Sequence, residues 1–75
     1  MESALAELFP KQSDLRLQAV RLLMLLEESG PRKQTELVEE LGMERYAVSR
    51  LLEKLELHRY ITRHREGTDK IVSLR

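Results

Sequence analysis

The 75-residue chain contains no cysteine, which excludes disulfides, thiolate nucleophiles and Cys-ligated zinc, and fits a reducing cytoplasm. Its longest apolar run, Leu22 to Leu26, falls far short of the ~20 residues needed to span a membrane. The N-terminus lacks the basic start and long apolar stretch of a signal peptide, so no membrane segment is expected. Internal repeats and low-complexity tracts are also missing. The only imidazoles, His58 and His64, stand at no metal-ligand spacing such as HExxH, and no glycine-rich phosphate loop is present. Ser49 has no base placed beside it by sequence, and the carboxylates fall mostly on solvated helix faces. The expectation is a protein that is not an enzyme and carries neither metal nor cofactor.

What is present is 41% hydrophobic and 35% charged residues, a globular balance with room for one domain over residues 1–75. A domain this small buries only ~60% of its unfolded surface, so its own core is marginal and a second copy would help. The net charge is zero, which argues against a generic polycation, but its distribution is uneven. Met1 to Met43 holds five basic and eight acidic residues, a net −3, whereas Glu44 to Arg75 holds eight basic and five acidic, a net +3. That dipole favours presenting the C-terminal half to an anion such as phosphate, against the alternative of an ordinary solvated surface.

Along the chain, Ala4, Leu5, Leu8 and Phe9 sit at helical spacing before Pro10 and predict a short helix over Met1 to Phe9. Ser13 or Asp14 can cap a longer helix reaching about Ser29, with Gly30 and Pro31 as its stop. Its apolar residues, from Leu15 to Leu26, exceed the single stripe of a surface helix, so either the N-terminal segment covers the excess within one chain or a second subunit does; the second is favoured, with residues 1–29 as N-terminal helices that form a homodimer interface.

Residues 33–57 carry the spacing of a helix-turn-helix. Leu37, Val38 and Leu41 make a short apolar stripe, Gly42 permits the positive φ that closes a helix, and Met43 restarts the pattern. Val48, Leu51, Leu52 and Leu55 then stand at i, i+3, i+4 and i+7 and share one face, while Tyr46, Arg50 and Glu53 fall opposite. Residues 60–74 read as a hairpin: Tyr60 to Arg65 as one strand, Glu66-Gly67-Thr68-Asp69 as the turn, and Lys70 to Leu74 as the second. Val72 and Leu74 are expected to face the helical core, with Arg63, Arg65 and Lys70 projecting outward around the turn. The fold class is mainly α with a small β-hairpin.

This order, carried by TELVEELGM, YAVSRLLEKLE and YITRHREGTDKIVSL between Gly30 and Leu74, resembles the winged helix-turn-helix domain of MarR-type prokaryotic transcriptional regulators. The resemblance implies a recognition helix in the major groove of double-stranded DNA, involving Arg45 to Arg50, and a wing, Arg63 to Lys70, on the backbone or in the minor groove. It also implies dimerisation through helices outside the motif. Glu44 departs from the family, which often has a Ser or Thr cap there; a carboxylate suits the helix dipole but repels phosphate.

The candidate DNA contacts follow from donor chemistry. Arg50 offers a planar fork to guanine or phosphate, or alternatively pairs with Glu53. Arg45, Tyr46 and Ser49 can add hydrogen bonds near the helix start. Lys33, Gln34 and Thr35 begin the first helix of the motif, where they either hold a phosphate or only cap the helix. Arg63, Arg65 and Lys70 suit phosphate or minor-groove contacts better than base reading. Two other readings remain open: a winged-helix protein-interaction module in a larger complex, and a DNA-organising or plasmid-maintenance protein of low sequence preference.

Overall fold

A computed structural model describes Leu5, residues 7–10 and residues 13–75. Within these, helix α1 spans Ser13–Ser29, strand β1 Arg32–Lys33, α2 Gln34–Leu41, α3 Arg45–Leu57, β2 Ile61–Glu66 and β3 Asp69–Leu74. The long helix reaches Ser29 as expected, but Ser13 and Asp14, expected to cap it, are already part of the helix. Of the expected short helix, Leu5, Glu7 and Leu8 are helical, and the Phe9 N–H donates to the Leu5 carbonyl at 3.0 Å. Its remaining part, Met1 to Ala4 and Ala6, lies outside the described residues.

Local chemistry explains each boundary. Gly30, at φ 77°, closes α1 by donating its N–H to the Leu26 carbonyl at 2.8 Å. Gly42 does the same for α2 at φ 63°, donating to the Val38 carbonyl at 3.1 Å. At the start of α2 the Glu36 carboxylate accepts the Lys33 N–H at 2.9 Å, half of a capping box, since a lysine side chain has nothing to accept with. Helix α3 ends in a Schellman motif. The Tyr60 N–H reaches the Leu55 carbonyl at 2.9 Å and the Arg59 N–H the Glu56 carbonyl at 3.0 Å, which leaves Arg59 in the left-handed region at φ 66°.

The sheet has three antiparallel strands in the order β1-β3-β2. Strand β1 corrects the expectation that Lys33 already belongs to the first helix of the motif. Arg32 and Lys33 pair with Val72 and Ile71, so the residues leading into α2 cover the inner edge of the hairpin. The turn joins Glu66 to Asp69 through Gly67 and Thr68, with positive φ only at Gly67, the pattern of a II′ hairpin turn.

Leu5 and Phe9 join Ala19, Leu22, Leu23 and Leu26 of α1, Leu37 and Leu41 of α2, and the four apolar residues of α3 in one core closed by Ile61 and Val72. Most of the apolar excess on α1 is thus consumed within the chain. Leu17 and Met24 remain outward, 61% and 58% exposed, with half-buried Val20 between them. Leu74, expected to face the core, sits at the sheet's end and is 40% exposed. Among the described residues no helix is long and apolar enough to cross a membrane.

Candidate nucleic-acid interface

The buried stripe of α3 faces the core, so the opposite ridge faces solvent and carries Tyr46, Arg50, Glu53 and Leu57, all exposed. Arg50 does not pair with Glu53. Its Nη1 donates to the Tyr46 hydroxyl at 3.0 Å, and its guanidinium carbon lies 5.7 Å from the Tyr46 ring centroid. One helical turn of spacing makes this contact, and it holds the guanidinium fork outward at reduced side-chain entropy. Ser49 is half-buried, one turn beyond Arg45.

A second group of candidates converges at a notch of about 210 Å³ between α2, α3 and the hairpin tip, lined by Gln34, Thr35, Val38, Arg45, Thr68, Asp69 and Lys70. Arg45 and Lys70 make no ion pair among the described residues, so two unpaired positive charges border this concavity together with Asp69, whose carboxylate meets Lys33. The N-terminus of α2 contributes its free amide end to the same place. Gln34 Oε1 is buried without a hydrogen-bond partner. Turning that amide over would offer an NH2 donor to the same space.

The register of the wing decides what its three bases do. Ile61, Arg63 and Arg65 share one face of β2, opposite Leu74, Val72 and Lys70 of β3. Arg63 was expected to project from the hairpin with the others, and it does not. Its Nε and Nη2 donate to Glu56 Oε1 of α3 at 3.2 and 3.0 Å, and its side chain is only 19% exposed. A carboxylate in the last turn of α3 thus ties the wing's base to the helix. Arg65 stands directly opposite Lys70, both exposed and neither in an ion pair among the described residues. Like charges in that position destabilise a hairpin unless an anion lies between them.

Lys33 is also engaged, its Nζ 3.5 Å from Asp69 Oδ2 at the edge of the notch. Arg32, not singled out in the sequence, lies between Glu36 and Glu40 at 3.7 and 3.6 Å, and so offsets the acids on α2. Thr68, Asp69 and Glu56 are further participants that sequence reasoning missed, since each acquires its role from an element distant along the chain. Glu44 is the N-cap residue of α3 without a side-chain cap hydrogen bond, and its carbonyl accepts from the Val48 N–H at 3.0 Å. His64 Nε2 lies 3.0 Å from Glu66 Oε2, and among the described residues no three His, Cys, Asp or Glu side chains gather to hold a metal ion.

Comparison with known proteins places this geometry. The chain is similar to a solved structure described as a probable transcriptional regulator from Pseudomonas aeruginosa, at 25% identity and a TM-score of 0.72. The similarity covers 97% of this chain and 59% of that one, so the chain spans about three-fifths of its solved relative. No curated protein matches it. The model of the MarR family matches residues 13–70, which include all three helices and the whole wing turn. With a helix-turn-helix, a paired wing and this match across most of its length, the chain belongs to the MarR family, on a winged helix-turn-helix fold.

Proposed function

We propose that this protein is a transcriptional regulator that binds double-stranded DNA, with α3 in the major groove and the wing on the backbone or in the adjacent minor groove. The observation that carries this reading is the juxtaposition of Arg65 and Lys70 on the wing, neither in an ion pair among the described residues, beside Arg45 at the notch. A phosphate would relieve their mutual repulsion, and the α2 N-terminus would add amide donors to it. Tyr46, Ser49 and Arg50 would then lie toward base edges. Gln34 and Thr35 would help to hold the backbone, with Lys33 reaching it only by releasing Asp69. The protein acts by binding and not by catalysis, and it works on DNA in the cytoplasm.

The test is fluorescence anisotropy with duplex DNA over a series of salt concentrations. Binding is expected to weaken linearly on a log-log plot with a slope of about −0.9 per phosphate contact. Replacing Arg65 and Lys70 together by alanine is expected to reduce the slope by about 2. An unchanged affinity and slope in that double variant would overturn the reading. Equal affinity for unrelated duplexes would instead identify a DNA-organising protein of low sequence preference.

The dimer belongs to the same proposal. Leu17 and Met24 stand exposed on the outer face of α1 on either side of half-buried Val20, at i, i+3 and i+7, an apolar stripe that the described residues leave partly uncovered. We assign it to a second copy, which makes residues 1–29 the dimer interface, 33–57 the reading head and 60–74 the wing. Half-sites about one helical turn, ~10 bp, apart would follow. Sedimentation of the protein and of its Leu17→Glu/Met24→Glu variant checks this. A concentration-dependent dimer lost in the variant is expected, whereas a wild type that stays monomeric, or one that pairs only with a different chain, would favour a protein-interaction module.

A further inference from the structure

The ridge of α3 carries one charged side chain that the binding reading leaves unused. Tyr46, Ser49, Arg50 and Glu53 stand at i, i+3, i+4 and i+7, the comb through which a helix lying in a groove reaches successive base edges. Glu53 is exposed and makes neither hydrogen bond nor ion pair among the described residues, because the guanidinium that could have met it is held by Tyr46. A free carboxylate on a face turned to a polyanion is repelled by every phosphate, so it opposes binding wherever it meets only the backbone. In the major groove its complement is an exocyclic amine, and cytosine N4 is the base-edge donor that a carboxylate accepts from.

Spacing along the helix places that contact. Arg50 and Glu53 are separated by three residues, ~4.5 Å of helix rise at ~1.5 Å per residue. That is a little more than one base-pair step of ~3.4 Å. We infer that Glu53 is a specificity-determining residue, its carboxylate accepting a hydrogen bond from cytosine N4 in the base pair next to the one whose guanine Arg50 contacts. This rests on the DNA-binding reading above. The Tyr46 hydroxyl and ring set the Arg50 fork, so the two charged groups read a G–C-containing step as a unit of opposite signs, a donor fork beside an acceptor.

The experiment is selection of bound duplexes from a randomised pool with the wild type and with Glu53→Gln, an exposed and nearly isosteric change. Anisotropy on the enriched duplex and on single-base variants then follows. The wild type is expected to prefer cytosine at one position of each half-site by about tenfold over other bases. In Glu53→Gln that preference is expected to disappear or to move to adenine, which an amide can pair with, while the salt slope stays the same. The inference is overturned if the variant enriches the same sequence and simply binds every duplex more tightly, since Glu53 would then be only an electrostatic brake. Absence of any duplex binding by the wild type at low salt is a different failure, one that removes the regulator reading and this inference with it.

Discussion

The base and the tip of the wing carry the same residue type on the same face of one strand and set it against neighbours of opposite charge. Arg63, over the core's edge, has both bonding nitrogens directed at Glu56 and locks the hairpin to α3. Arg65, two residues on, makes no ion pair among the described residues and stands across from Lys70 instead. An arginine is a structural tie where the fold supplies a carboxylate and an anion-seeking group where it supplies another cation. The difference lies in what stands across from each, not in the arginines themselves.

Changing the tip should have the larger effect on DNA. Lys70→Glu gives Arg65 an acid directly opposite, so the bare hairpin is expected to gain slightly in stability while duplex affinity falls on the order of 100-fold at moderate salt. Anisotropy and thermal denaturation on the same preparation would show the two moving in opposite directions. If both fell together, the tip would be a structural element like the base.

At the base the opposite pattern is expected. Arg63→Ala removes a two-nitrogen bond to a partly exposed carboxylate and should cost about 1 kcal/mol of stability in a urea titration. It should leave the salt slope of DNA binding unchanged, whereas Arg65→Ala should lower that slope by about 1 with little effect on stability. A slope that dropped equally in both variants would erase the distinction between base and tip.

Two smaller changes sharpen the frame that holds the comparison in place. Glu44→Ser would supply the side-chain acceptor that the α3 N-terminus lacks and should add about 1 kcal/mol of stability, with tighter DNA binding as a carboxylate leaves the reading end. Arg59, held at φ 66° between α3 and the wing, should stabilise the protein by about 0.5–1 kcal/mol when replaced by glycine. A destabilised Arg59→Gly would mean that its side chain makes a contribution beyond the turn.

Much of this molecule is legible from local signals. Gly30, Gly42 and the Gly67-Thr68 turn mark their boundaries because positive φ is a property of single residues and their neighbours. The apolar positions of α3 were readable because a helix repeats every 3.6 residues whatever it packs against. Even the Tyr46–Arg50 contact follows from i, i+4 spacing, although Glu53 at i+3 is within reach of the same guanidinium by spacing alone. The site is legible only in part. Arg45, Arg65 and Lys70 are exposed cations of the kind the charge asymmetry of the two halves suggested.

Other features had no local signature. Strand β1 is two residues long and exists only because β3 is there to pair with it. The notch draws its lining from α2, α3 and the wing turn, segments that meet only when Ile61 and Val72 close over the helices. The chain's own sequence determined its helices, its turns and the sign of charge on each half, since these depend on neighbours within a turn or two. Which cations are spent on carboxylates and which stay free was decided by tertiary structure, because ion pairing falls off within a few ångströms and the partners are brought that close only by the folded core.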